Sequence, residues 1–292
     1  MTPPWLELIA QVPRGAAEEI AARLIEIGAS AVEEKPGPPG TALLLTHFRL
    51  EDGAAERLRA AEAALSAMGL GKEAVTLRQV EDENWVLRTR DFFTAQPFGE
   101  RLWLRPPWEQ APPPPGRAEI IIDPGMAFGT GRHPSTRLCL EAIDRAFAAR
   151  PPARFLDVGC GSGILAMAAL KLGAEEALAL DLDPLAVEGT LEAARANGVA
   201  ERLRARLGTL DDSALGDWAG RVEALAANIF LTPLRVLMPR FAGALAEGSW
   251  GVLSGIGYEQ ADALARAAEE AGLRVLRRGR LEEWASVEVE KP

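Results

Sequence analysis

The chain has 292 residues, 48% of them hydrophobic and 25% charged, with a net charge of −10. That length allows one large domain, or an ordinary domain with a smaller companion. The acidic balance argues against a groove for long stretches of DNA or RNA, which needs clustered Lys and Arg, and is compatible with a basic protein partner.

The chain opens with a strand-like segment, Trp5 to Val12, and a helix-like one, Gly15 to Ile27, that puts Ile20, Leu24 and Ile27 on one face. Ser30–Glu34 and Thr41–Phe48 flank the turn Pro36-Gly-Pro-Pro-Gly40 as a hairpin. A helical stretch from Ala54 to Met68 and a strand from Ala74 to Val80 follow. The order β-α-β-β-α-β predicts a ferredoxin-like unit over residues 1–80. No titratable cluster converges in it, and His47 reads as a strand residue, so a binding or positioning role is expected. Glu81 to Phe93 carries acids early and arginines late, as a helix dipole favours, and reads as a helical linker over residues 81–95.

The second domain is expected over residues 96–292. Phe98 to Arg105 is predicted as a strand, Pro106 to Pro115 as a loop and Glu119 to Asp123 as a short strand. A glycine-rich loop, Asp123 to Thr136, leads into a helix from Arg137 to about Ala149. Strands are then predicted at 154–158, 176–181, 203–207, 222–227 and 250–254, with helices at 164–172, 184–197, 233–245 and 259–271 between them. This alternation predicts an α/β domain whose sheet is mostly parallel with helices on both faces. Leu273–Arg280 and Glu283–Glu290 form two closing strands. No apolar run is long enough to span a bilayer, and the start lacks a basic region followed by an apolar core, so a cytoplasmic protein without a membrane partner is expected. Cys139, in a helix, and Cys160, in the glycine turn, suit neither a disulfide framework nor a zinc cluster.

Ligands of open α/β sheets bind beyond the carboxyl ends of the strands. The strand Phe155-Leu-Asp-Val158 delivers Gly159, Gly161 and Gly163, and the next ends in Asp181-Leu-Asp183. Glycines let backbone N–H groups approach a ligand, and an acid after the second strand is placed to accept hydrogen bonds from ribose hydroxyls. Three features favour S-adenosylmethionine over a nicotinamide dinucleotide. The glycines read Gly-x-Gly-x-Gly, with Ile164 and Leu165 where the last Gly or Ala of the dinucleotide fingerprint would fall. Asp157 would repel a pyrophosphate yet orient a cationic amino-acid moiety. Asn228, closing the fourth strand, offers a neutral amide oxygen that can accept a hydrogen bond from an incoming amine.

Each residue has a plainer reading. The glycines can serve turn geometry alone, Asp183 before Pro184 reads foremost as a helix N-cap, and Asn228 and Thr136 each compete as caps. His133, beside Pro134, is read as either a loop-stabilising residue or a base.

The loop Asp123-Pro-Gly-Met-Ala-Phe-Gly-Thr-Gly-Arg-His-Pro-Ser-Thr136, the turn Leu156-Asp-Val-Gly-Cys-Gly-Ser-Gly-Ile-Leu-Ala166, Asp181-Leu-Asp-Pro184 and Ala227-Asn-Ile-Phe-Leu-Thr-Pro-Leu234 resemble the bacterial methyltransferases of large-subunit ribosomal protein eleven, the PrmA family. Glu81-Asp-Glu-Asn-Trp85 and Phe98-Gly-Glu-Arg-Leu-Trp103 extend the resemblance across nearly the whole chain. It implies a Rossmann-like class I methyltransferase domain behind a small N-terminal ferredoxin-like α+β domain that recognises the substrate. It also implies methylation of lysine ε-amines and of the N-terminal α-amine of that ribosomal protein, by a cytoplasmic enzyme expected to be a monomer. Carried over by position, Thr136, Gly159, Asp181 and Asn228 bind S-adenosylmethionine, with Gly161 in the same turn and Phe128 and Thr130 in the loop that closes over it; Asn228 is the catalytic candidate. The sequence departs from the family at Phe230-Leu231-Thr232 and at Ser135, and bulkier Phe230 and Leu231 bear on which amines enter.

Overall fold

The structure is a computed structural model, and the described residues are 5–27, 32–49, 59, 63, 65–66, 68–71, 74–80, 93–123 and 131–292. The chain divides into two compact units, Met1–Phe92 and Phe93–Pro292.

In the first unit, β1 (Trp5–Pro13), β2 (Val32–Pro36), β3 (Thr41–Arg49) and β4 (Val75–Val80) form an antiparallel sheet in the order β2-β3-β1-β4. The period-2 pattern sends Leu8, Ala10, Val12, Ala42, Leu44 and Phe48 into a core. Helix α1 (Ala17–Glu26) adds Ala17, Ile20, Ala21 and Leu24 to the buried set. Most of the expected second helix, and residues 81–92 of the expected linker, lie outside the described residues.

The second unit begins with a small sheet of β5 (Gln96–Phe98), β6 (Leu102–Arg105) and β7 (Ala118–Ile121). Where one strand was expected over Phe98–Arg105, the chain turns at Gly99, whose φ is +52°. A Cβ there would overlap the carboxylate of Asp144. Asp144 is buried and accepts the backbone N–H groups of Glu100 at 2.6 Å and Arg101 at 3.4 Å, so a carboxylate takes donors that a continuous strand would have paired, and Arg101 Nε adds an ion pair at 2.8 Å. At the far end of the sheet Asn197 pairs with Ile121 as a strand would: its Oδ1 accepts the Ile121 N–H at 2.9 Å and its Nδ2 donates to the Ile121 carbonyl at 2.7 Å.

The main sheet contains β8 (Arg154–Val158), β9 (Glu176–Asp181), β10 (Leu203–Leu207), β11 (Val222–Asn228), β12 (Leu245–Gly257), β13 (Arg274–Leu281) and β14 (Trp284–Glu290) in the order β10-β9-β8-β11-β12-β14-β13. The first five are parallel, and β14 inserts antiparallel between β12 and β13. Strands buried on both faces read as apolar runs, and alternate residues feed two cores. Phe155, Ala224, Ala226 and Val252 join α2 (Pro134–Ala146), α3 (Ile164–Lys171) and α4 (Pro184–Ala196) on one face. Leu156, Leu178, Leu225 and Leu253 join α6 (Leu231–Ala244) and α7 (Ala261–Glu270) on the other, and a one-turn α5 (Asp212–Leu215) lies between β10 and β11. Cys139 and Cys160 are both buried and free. Among the described residues no helix is long and apolar enough to cross a membrane.

Candidate active site

The strand order reverses between β8 and β11, and their carboxyl ends carry the glycine turn and Asn228. The turn takes three left-handed steps, with φ of +75°, +52° and +75° at Gly159, Gly161 and Gly163. Gly163 is the N-cap of α3 and has no side chain with which to cap it. Asp157 does so from the preceding strand: its Oδ2 accepts the Ala166 N–H at 3.1 Å. The glycines are also demanded by neighbours within the chain. A Cβ on Gly163 would meet Thr190, and one on Gly159 would overlap the γ-methyl of Ile229.

Gly161 and Asp181 are brought together. The Gly161 N–H donates to Asp181 Oδ2 at 2.8 Å and the Asp183 N–H to Asp181 Oδ1 at 3.0 Å, which holds the carboxylate in one orientation at the end of β9. Asp183 caps α4, its Oδ1 accepting the Leu185 N–H at 2.9 Å.

Thr136 and Asn228, far apart in sequence, are also brought together: Asn228 Nδ2 donates to Thr136 Oγ1 at 3.1 Å. The cap readings of both fall away. Helix α2 is capped by His133, whose Nδ1 accepts the Ser135 N–H at 3.3 Å, and Thr136 lies inside the first turn with its side chain turned to the sheet. Helix α6 has Phe230 at its N-cap and no side-chain cap bond, so Asn228 is not spent on it. His133 also lies edge-on to Trp284 with ring centroids 4.2 Å apart, which fits the structural reading. Phe128 and Thr130 lie outside the described residues.

Two side-chain oxygens at this end of the sheet are buried without a hydrogen-bond partner among the described residues: Asp157 Oδ1 and Asn228 Oδ1. Asp157 pairs in register with Ala226, so Asn228, two residues further along β11, projects from the same face as Asp157. Buried acceptors are normally satisfied, and a ligand bearing an ammonium group or an incoming amine would supply the missing donors. The N–H groups of the three glycines, expected to face a ligand, are spent within the chain on the Leu180 carbonyl, Asp181 Oδ2 and the Cys160 carbonyl, so the turn contributes room rather than donors. With the Asp181 carboxylate alongside, these residues fit S-adenosylmethionine. Ser254, beside Asn228 in the sheet, adds support: its hydroxyl donates to the Ala285 carbonyl at 2.8 Å and reaches the Ser135 carbonyl at 3.4 Å. A serine followed by glycine inside an apolar strand was the available sequence signal for this bulged position.

Burial pushes the Asp157 carboxyl up to about 7, repulsion from Asp181 adds to the shift, and the Ala166 N–H opposes it. A carboxyl raised on folding stabilises fully below its unfolded value of about 4 and loses that contribution as pH rises through its folded value. The protein should therefore lose melting temperature relative to an Asp157→Asn variant as the pH is raised from about 4 through about 7. Parallel curves for the two proteins would contradict a buried carboxyl titrating there.

Numbered by occurrence, the main sheet runs 3-2-1-4-5-7-6 with its last strand reversed, the order of the class I methyltransferases, and the polar groups gathered at its switch point suit that class. The comparisons narrow it. Residues 4–292 match the family profile described as ribosomal protein L11 methyltransferase (PrmA). Ribosomal protein L11 methyltransferases of Bordetella parapertussis and Burkholderia thailandensis are 39% and 37% identical to the chain, each match covering 89% of it and 92% and 90% of the relative. A crystal structure of ribosomal protein L11 methylase from Lactobacillus delbrueckii subsp. bulgaricus superposes with a TM-score of 0.61 at 31% identity, covering 68% of this chain and 99% of that one. The chain belongs to the ribosomal protein L11 methyltransferase family.

Proposed function

We propose that the chain transfers methyl groups from S-adenosylmethionine to lysine ε-amines and to the N-terminal α-amine of ribosomal protein L11, in the cytoplasm. The observation that carries this reading is Asn228, a neutral amide held by Thr136 at the sheet's switch point with its Oδ1 buried and without a partner among the described residues. When bound, S-adenosylmethionine supplies a sulfonium methyl whose leaving group departs uncharged. The protein therefore has mainly to position an amine and exclude water. Asn228 Oδ1 accepts one N–H of the neutral primary or secondary amine and so aims its lone pair, while Asp181 and the glycine turn hold the nucleoside. A lysine loses its proton to water, helped by desolvation in the pocket, which lowers its pKa. An amide adds no charge that would hold the amine protonated, which suits repeated methylation.

Residues 1–80 are assigned to recognition of the protein substrate, joined to the methyltransferase domain by a linker at 81–95. Its described surface includes exposed Glu33 and Glu34 on β2, Glu33 paired with Lys35 at 3.1 Å. The test is incubation with radiolabelled S-adenosylmethionine and total ribosomal protein from a strain lacking the enzyme. Label is expected on ribosomal protein L11; label confined to a non-ribosomal protein or a small amine would overturn the substrate assignment.

A further inference from the structure

We propose that Ile229 is a positioning residue that fixes Asn228 relative to the glycine turn through its β-branch. This rests on the assignment of Asn228 as the acceptor that aims the amine.

Ile229 follows Asn228 directly and is gripped from both neighbouring strands. On the β12 side its N–H donates to the Ser254 carbonyl at 3.1 Å. The next residue of that strand, Gly255, sits in a bulge with φ of +88°, between Ser254 and Ile256. A Cβ on Gly255 would lie 2.6 Å from the Ile229 carbonyl oxygen and 2.8 Å from its nitrogen, so the Ile229 backbone rests on a bare Cα. On the β8 side the Cγ2 methyl of Ile229 fills the space that a Cβ on Gly159 would need, and the next nearest atom there is the Cβ of Ile229 itself at 3.9 Å. The first glycine of the cofactor turn is thus bare toward a methyl group from the residue that follows Asn228. Backbone on one glycine and side chain on another leave the carboxamide of Asn228 little play against the turn that holds the cofactor.

The branch matters more than the volume. A β-branched side chain has one strongly favoured χ1, and so places its γ-methyl in a fixed direction. Valine keeps that methyl. Leucine keeps the volume of isoleucine but moves the branch one carbon outward, so either the space against Gly159 empties or the leucine methyls are driven into it.

Turnover is measured for Ile229→Val, Ile229→Leu, Asn228→Ala and the double variant Asn228→Ala with Ile229→Leu, at saturating S-adenosylmethionine, with melting temperatures alongside. Ile229→Val should stay within about threefold of the unmodified protein, and Ile229→Leu should lose about tenfold or more in kcat, since misplacing a group by about 1 Å can cost about 10²-fold. In the double variant Ile229→Leu should add nothing, because it acts through Asn228. Equal activity of the valine and leucine variants, or an undiminished leucine effect in the Asn228→Ala background, would overturn the proposal. Full turnover by Asn228→Ala alone would instead sink the reading of Asn228 on which it rests. The contact itself has a separate readout: the losses in melting temperature from Gly159→Ala and Ile229→Ala should be less than additive in the double variant, and additive losses would contradict the wedge.

Discussion

Asn228→Ala should lower kcat for protein methylation by about 10²-fold while leaving the fold nearly unchanged. Among the described residues the side chain makes one hydrogen bond, to Thr136, and caps no helix. Its loss therefore removes about 0.5–1.5 kcal/mol of stability, a shift of a few degrees in melting temperature. The catalytic loss has a different origin. Without the Oδ1 acceptor the amine enters with its lone pair unaimed, and an uncharged leaving group leaves positioning as the main contribution the protein can make. Steady-state kinetics at saturating cofactor, together with calorimetric titration of S-adenosylhomocysteine, separate the two. A variant with full turnover and a lowered melting temperature would return Asn228 to a purely structural role.

Removing residues 1–92 should abolish methylation of ribosomal protein L11, a loss of more than about 10²-fold, with S-adenosylhomocysteine bound within about threefold of the full chain. The residues proposed to hold the cofactor all lie in the second unit, which begins at Phe93 and has its own cores. Docking through the first unit, as proposed, would raise the effective concentration of the target amines at the site, and cutting it away would remove that gain. Calorimetry and intact mass measurement on the same preparation decide it. Loss of cofactor binding in the shortened chain would show that the two units do not work separately, and undiminished methylation would remove the recognition role from residues 1–80.

The alternation of strands and helices after Arg154 was legible because parallel strands buried on both faces are short apolar runs, such as Ala177 to Leu180, and helices between them begin with marked caps, such as Asp183-Pro184. Boundaries were less so. The helix expected from Arg137 begins at Pro134, since His133 supplies a cap that sequence rules assign to Ser, Thr, Asn or Asp. Strand β12 runs from Leu245 to Gly257 rather than over 250–254, because pairing with β11 and β14 holds polar and glycine residues that have little strand propensity of their own. The turn at Gly99 depends on Asp144, which contributes from a helix more than forty residues away.

The site divides in the same way. Gly161 and Asp181 follow strands in a known motif, and their contact could be anticipated from topology. The hydrogen bond between Thr136 and Asn228 could not be read from either residue, because both stand where a cap is chemically reasonable and only the packing of α2 on the sheet decides. The glycines were read as room for a ligand; at Gly159 and Gly163 the structure shows that neighbouring side chains, Ile229 and Thr190, also claim the room. The pattern Gly-x-Gly-x-Gly carries no trace of those partners.

Intact mass spectrometry of ribosomal protein L11 from a strain lacking the enzyme, before and after incubation with this protein and S-adenosylmethionine, tests the central claim most directly. The account predicts mass increments in whole methyl groups, mapped by fragmentation to lysine side chains and the N-terminal amine, and their near-absence with Asn228→Ala. An unchanged mass, or methyl groups placed at the same rate by the Asn228→Ala variant, would contradict it.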